Sequence, residues 1–186
     1  MSAARRRGAT AADLRERRAA VDDLAVVLDA AAAFLAVRPR SVGETRQRLR
    51  RLGYRADLVE AALNQLAGLG YLDDAAFGHA WVESRDRARP RSARALRAEL
   101  VGKGLGRGLV DELLEEREAV EPGADIEAAR RLLARHAAAL GRVVDPRVRR
   151  QRAYALLARH GFDPATCREA LGPSPEGGEA ADGPLV

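Results

Sequence analysis

Arg38-Pro39-Arg40-Ser41 recurs as Arg89-Pro90-Arg91-Ser92, 51 positions further along the chain. The same offset carries Leu49 onto Leu100, Gly53 onto Gly104, Leu58-Val59 onto Leu109-Val110 and Leu63 onto Leu114. A repeat of this length confines the chain to a modular array whose units bury apolar faces against one another. Hydrophobic residues make up 47% of the sequence but aromatics only 4%. The core must therefore be built from Leu, Val and Ala, which suits closely packed helices.

Helical spacing fills in the units. Val21, Leu24, Leu28, Ala31 and Leu35 lie on one helical face. Pro39 disfavours helical geometry at Arg38 and so ends this first helix. Ser41 and Glu44 have capping-box spacing for a second helix, with Thr45, Leu49 and Leu52 inward and Gly53 as its stop. A third helix carries Leu58, Ala62, Leu66 and Leu69 on one stripe, with Val59 and Leu63 beside it, and ends at Gly70. The pattern restarts at Gly70-Tyr71-Leu72-Asp73-Asp74, where Asp73 is an N-cap and Leu72 with Phe77 forms a hydrophobic staple. A more diverged third unit is marked by Ile126, Ala129, Leu133 and Leu140, then by Asp145-Pro146 and Asp163-Pro164 as helix starts. No segment alternates with period two. The expected fold is all-α: three tandem three-helix, helix-turn-helix-like repeats over residues 21–72, 73–120 and 121–172. A disordered basic tail is expected over 1–20 and a disordered Pro-, Gly- and acid-rich tail over 173–186.

Catalytic chemistry finds little support in these residues. Gly102-Lys103-Gly104-Leu105-Gly106-Arg107-Gly108 lacks the spacing, the preceding strand and the Ser or Thr of a phosphate-binding loop, and reads as a helix-to-helix turn. His79, His136 and His160 are scattered, with His136 expected to be hydrogen-bonded and partly buried on an apolar stripe. No His or Cys pair has metal-ligand spacing, so no metal is expected. Cys167, the single cysteine, aligns with Val59 and Val110 and reads as a small buried hydrophobe. Asp73 and Asp74 are explained by capping and by the helix dipole. The expectation is a non-enzymatic protein without a cofactor. Lone-cysteine usage and the lack of a membrane-length apolar run predict a soluble, cytoplasmic protein with no membrane partner; a monomer is expected.

The arginines carry more. Net charge is +5, and Lys103 is the only lysine. Arg46, Arg48, Arg50 and Arg51 crowd the second helix of the first unit. Arg85, Arg91, Arg94 and Arg97 cluster in the equivalent region of the second, and Arg147, Arg149 and Arg150 open the second helix of the third. Recurrence in all three units predicts a basic strip that follows a polyanion or an acidic groove, with DNA, single- or double-stranded, bound weakly and in a salt-sensitive way. An alternative is a helix-turn-helix regulator that reads duplex DNA in the major groove.

These landmarks resemble the RecX family, bacterial regulators of the RecA recombinase. The resemblance rests on Arg38-Pro39-Arg40-Ser41 with Glu44 and Leu49, on Gly53-Tyr54, and above all on Gly70-Tyr71-Leu72-Asp73-Asp74 with Phe77. It continues through Arg85, Arg94, Arg97, Glu99-Leu100 and Lys103-Gly104. The third unit departs most, lacking the Arg-Pro-Arg-Ser turn. The family implies three tandem three-helix repeats in an elongated, curved array, and binding in the groove of the RecA–DNA filament. It further implies that recombination, ATP hydrolysis and coprotease activity are inhibited.

Overall fold

Each expected helix start is built by a short polar side chain. Ser41 Oγ accepts from Glu44 N at 3.0 Å, and a Glu44 carboxylate oxygen accepts from Ser41 N at 3.4 Å, closing the capping box. Asp145 and Asp163 cap helices whose first residue is proline. Asp73 Oδ1 accepts from Ala76 N at 2.9 Å, and both staple residues, Leu72 and Phe77, are buried. Gly53 ends its helix in the left-handed region at φ 104°, where a side chain would strain the backbone.

The structure, a computed structural model, describes residues 10–173. Among these are eleven helices and no strand. They are α1 (Ala11–Ala19), α2 (Leu24–Leu35), α3 (Val42–Leu52), α4 (Ala56–Gly68), α5 (Asp74–Ala88), α6 (Ala93–Gly102), α7 (Arg107–Val120), α8 (Ala124–Arg135), α9 (Ala137–Gly141), α10 (Pro146–Arg159) and α11 (Pro164–Leu171). Two compact units are formed. Among the described residues, the first holds 10–79 together with Leu100–Val110, and the second holds Ala80–Glu99 together with 111–173.

In the first unit Val27, Ala31, Leu49, Val59, Ala62 and Leu63 form the centre of the core. Leu69, expected on the inner stripe of α4, is instead 63% exposed. It lies beyond the last helical residue, where the chain turns toward Gly70. In the second unit Ala128, Ala129, Leu132, Leu157, Phe162 and Cys167 pack together. Burial raises the Cys167 thiol above its ordinary pKa, with the Asp163 charge adding to the effect, so the residue fills space rather than reacting.

Three expectations change. The stretch 1–20 includes a helix, α1, held by its own Thr10–Asp13 capping box and by Arg15 Nε donating to Arg51 O at 3.2 Å. Its absence of an apolar stripe hid it, because a capping box and one long-range contact define it instead. Residues 1–9 and 174–186, the rest of the two expected tails, lie outside the described residues. The single helix expected from Ile126 to Leu140 is two, broken at His136. His136 is exposed there, rather than partly buried on a stripe, and its Nδ1 lies 3.0 Å from Leu132 O. The break absorbs extra length: Asp74 and Asp125 are 51 apart, but Gly104 and Gly161 are 57 apart.

Each Arg-Pro-Arg-Ser segment also docks one repeat on the next. In the first unit Ser41 Oγ donates to Lys103 O at 2.6 Å, and Asp74 Oδ1 accepts from Val42 N at 2.8 Å. In the second unit the equivalents recur: Ser92 N donates to His160 O at 3.5 Å, and Asp125 accepts from Ala93 N at 2.8 and 3.0 Å. An acid from the first helix of one repeat thus caps the second helix of the repeat before. Ser41 is fully buried, so Ser41→Ala removes a cap and strands the Lys103 carbonyl. The expected loss is about 1–2 kcal/mol in chemical denaturation, larger than that of the exposed cap change Thr10→Ala, which strands no buried carbonyl. Equal midpoints for the two variants would argue against the junction.

Candidate functional site

The second-helix arginines divide by partner. Arg46 donates through Nε and Nη2 to the two Glu60 oxygens at 2.8 and 2.9 Å. Its repeat equivalent, Arg97, donates to Asp111 at 3.0 and 2.7 Å. Arg46 forks onto two oxygens and Arg97 places both donors on Asp111 Oδ1, and each pair joins the second and third helix of a repeat. About half of each side chain remains exposed, with 43% for Arg46 and 51% for Arg97. Such open pairs contribute little to stability and can exchange an internal acid for an external anion. The Arg46 charge and hydrogen bonds hold the Glu60 carboxyl below its usual pKa.

Other members are committed to the fold. Arg85 Nε donates to Glu99 at 2.6 Å and its guanidinium lies over the Trp81 ring, while Arg91 pairs with the same carboxylate at 3.5 Å. Arg150 donates to the carbonyls of Leu171, Gly172 and Pro173, satisfying the end of α11. Arg147 is exposed in the first turn of α10 and Arg50 is exposed on α3, within the electrostatic reach of Glu60. Arg48, Arg51, Arg94 and Arg149 form no side-chain hydrogen bond or ion pair with another described residue. Arg48, Arg51 and Arg94 are exposed and Arg149 is half-buried. Within the expected strip, Arg48, Arg51 and Arg94 are thus exposed cations available to an outside partner.

Sequence reasoning missed two internal charges. Arg117 has only 7% of its side chain exposed, yet it donates to both Asp86 oxygens at 2.9 Å, to Asp125 at 2.7 Å and to Ala124 O at 3.2 Å. Burial works against its charge, but the hydrogen bonds and charges of Asp86 and Asp125 outweigh it and raise its pKa further. The signal was present: Arg117 aligns with the buried Leu66, and a charge in a core register implies internal partners. The lone lysine, Lys103, is the second. Its Nζ donates to Glu44 at 3.1 Å and sits 5.8 Å from the Phe77 ring centre. Burial pushes the Glu44 carboxyl up, but Lys103 and Arg38 together hold it below its ordinary value.

No group of three or more His, Cys, Asp or Glu side chains among the described residues could hold a metal ion. No helix among them is long and apolar enough to cross a membrane. The described surface offers cationic side chains on recurrent helices.

Comparison with known proteins matches this repeat architecture domain by domain. Residues 28–66, 73–114 and 124–171 match the first, second and third three-helix domains of RecX. The chain belongs to the RecX family. A Regulatory protein RecX from Mycobacterium avium (strain 104) is 36% identical over 133 residues, covering 69% of this chain and 73% of that protein. One from Prosthecochloris aestuarii (strain DSM 271 / SK 413) is 31% identical over 149 residues, covering 80% and 93%. Two crystal structures share the fold. A regulatory protein RecX superposes with a TM-score of 0.65 at 21% identity, covering 77% of this chain and 70% of that one. RecX from Lactobacillus salivarius gives 0.64 at 18%, covering 81% and 95%. Of the arginines sorted above, Arg46, Arg48, Arg50 and Arg51, then Arg94 and Arg97, then Arg147, Arg149 and Arg150 lie on the second helices of the three RecX domains, whereas Arg85 lies on α5 and Arg91 in the turn before α6.

Proposed function

We propose that this RecX-family protein binds the RecA–DNA filament and inhibits its recombinase, ATPase and coprotease activities, acting without chemistry of its own. The observation that carries the reading is a set of cations, on the second helix of successive domains, with no hydrogen-bond or ion-pair partner among the described residues: Arg48 and Arg51 on α3, Arg94 on α6 and Arg149 on α10. Guanidinium groups with no internal acid are suited to acidic protein surfaces and to phosphate oxygens. Arg46 and Arg97 stand beside them as exchangeable members, and Arg147 and Arg50 extend the cationic surface. Arg85, Arg91 and Arg150 support the strip by holding its helices in place.

The test adds the protein to an active RecA filament and follows DNA-dependent ATP hydrolysis and strand exchange. Both rates are expected to fall with rising protein, and the effect to weaken as salt rises. The double variant Arg51→Glu with Arg94→Glu is expected to lose about tenfold or more of its potency, roughly 1.4 kcal/mol or more of binding. Rates that stay unchanged over a wide concentration range at low salt would sink the reading. A sequence-specific footprint on duplex DNA without RecA would instead favour a helix-turn-helix regulator.

A further inference from the structure

The first and second repeats place different charges at one corner of the fold. In the second repeat, Arg85 Nε donates to Glu99 Oε2 at 2.6 Å, Trp81 Nε1 donates to the same oxygen at 2.9 Å, and Arg91 Nε lies 3.5 Å from Oε1. Two guanidinium groups converge on one carboxylate, and the Arg85 group lies 4.2 Å from the centre of the Trp81 ring. Moving back 51 positions turns Arg91 into Arg40, Arg85 into Phe34 and Glu99 into Arg48. The aromatic now comes from the neighbouring position, and the acid has become a second cation.

The geometry of the first corner follows that exchange. The Arg40 guanidinium lies 4.1 Å from the Phe34 ring centre and that of Arg48 lies 5.8 Å from the same centre. Neither has a carboxylate partner among the described residues. Arg40 Nε, like its equivalent Arg91 Nε, is buried with no hydrogen-bond partner, but Arg91 has the Glu99 charge beside it and Arg40 has none among the described residues. Two like charges therefore share one ring without the counter-charge that the second repeat supplies internally. An aromatic face lowers the cost of holding a cation but does not satisfy its N–H groups. Phe34 and Arg40 are half-buried and Arg48 is exposed, so the corner opens to solvent.

We propose that the Arg40–Phe34–Arg48 corner is a binding site for a carboxylate of an acidic protein segment, which occupies the place that Glu99 holds in the second repeat. A carboxylate is favoured over a nucleic-acid phosphate because the fold's own solution at this position is a glutamate. A glutamate extends a planar acceptor on a thin stem into a half-buried corner, whereas a backbone phosphate arrives on a broad polyanionic surface. The inference rests on the RecA reading only for which protein supplies the segment; the chemistry of the corner stands apart from it.

The experiment uses the full chain and two fluorescent probes, a hexaglutamate peptide and a single-stranded oligonucleotide, followed by anisotropy. Arg48→Glu gives the first corner an acid of its own. It is expected to keep the helical circular dichroism and melting midpoint while weakening peptide binding about tenfold or more. Arg107→Glu makes the same change in net charge at the exposed start of α7 and is expected to weaken peptide binding less than about twofold. Oligonucleotide affinity is expected to fall by the same factor in both. Should Arg48→Glu misfold, Arg48→Gln removes the cation without reversing it, with an expected loss of about threefold or more for the peptide.

Equal weakening of the peptide by Arg48→Glu and Arg107→Glu overturns the site, because general charge then explains the binding. Loss of the oligonucleotide by Arg48→Glu with the peptide spared also overturns it, in favour of phosphate. A RecA assay separates the two readings. Inhibition by wild type that Arg48→Glu retains in full removes the corner but leaves the proposed function. A wild type that binds the peptide through the corner yet never affects RecA does the reverse.

Discussion

Arg117→Ala is expected to lower folding stability by about 3–5 kcal/mol, the size seen when one partner of a buried ion pair is removed. Four acceptor atoms depend on this side chain: both oxygens of Asp86, one of Asp125 and the Ala124 carbonyl. The two carboxylates are only 21% and 25% exposed, so water cannot fully replace the guanidinium. Their mutual repulsion, cancelled by Arg117, would be released at the same time. Asp125 has a further duty, since it accepts from Ala93 N and so caps α6. Loss of Arg117 is therefore expected to loosen the junction between the second and third repeats as well as the core beside it. Arg117→Met preserves much of the apolar stem and is expected to be almost as damaging, because the stranded acids set most of the cost. Arg55→Ala, which opens an exposed pair with Asp57, is expected to leave the denaturation midpoint almost unchanged. Denaturant titration of the three variants checks the order. An Arg117→Ala midpoint near that of Arg55→Ala would show that Asp86 and Asp125 are hydrated in place.

Those contrasts explain which parts of the molecule could be read from its sequence. Helix starts were legible because caps act over three residues: Ser41 with Glu44, Asp145 with Pro146, and Asp163 with Pro164 are local chemistry. The doubled Arg-Pro-Arg-Ser was legible as a turn, but its second role was not. Ser41 meets Lys103 and Asp74 meets Val42 only after the chain has folded, and no local rule pairs residues 62 or 32 positions apart. The same limit governed the candidate site. Counting arginines located the second helices, yet counting cannot tell Arg94, which has no hydrogen-bond or ion-pair partner among the described residues, from Arg97, which donates to Asp111. Nor can it tell Arg149 from Arg150, which closes the end of α11. Comparison of repeat positions recovers part of this. Arg117 opposite Leu66 and Glu99 opposite Arg48 are mismatches between equivalent sites, and each marks a place where charge has been rearranged. The break at His136 was hidden for a different reason. Helical periodicity in an alanine-rich stretch continues through a change of axis, so Leu133 and Leu140 still looked like one stripe.

Gly104→Ala is expected to be the most damaging glycine substitution in the first unit, at about 3 kcal/mol or more. Two costs combine. At φ +87° an added Cβ faces the left-handed penalty of about 1–2 kcal/mol. That Cβ also meets the Cα of Gly43 at 2.7 Å, and backbone cannot rotate away, so the junction has to open at an overpacking cost of about 1–3 kcal/mol. The contact is reciprocal: a Cβ on Gly43 lies 2.6 Å from Gly104 Cα and 2.7 Å from the Lys103 carbonyl oxygen. That same oxygen accepts from Ser41, so the two glycines let the capping serine reach it. Gly161 occupies the equivalent turn in the second unit at φ +91°, but its Cβ meets side-chain atoms, Ser92 Oγ at 2.8 Å and Ala95 Cβ at 3.0 Å. A serine hydroxyl can change rotamer, so Gly161→Ala is expected to cost less, about 2 kcal/mol. Gly102 has nothing within 4 Å of an added Cβ and lies in the last turn of α6, so Gly102→Ala is expected to be neutral or to stabilise by up to about 1 kcal/mol. Thermal or urea unfolding of the three proteins should rank Gly104→Ala below Gly161→Ala below Gly102→Ala. If Gly104→Ala and Gly161→Ala proved equal, the left-handed backbone alone would account for both, and the close approach of Gly43 would carry no energy. If Gly104→Ala is the weaker, limited proteolysis is expected to cut first between the first and second repeats, where the docking of Ser41 on Lys103 has been lost.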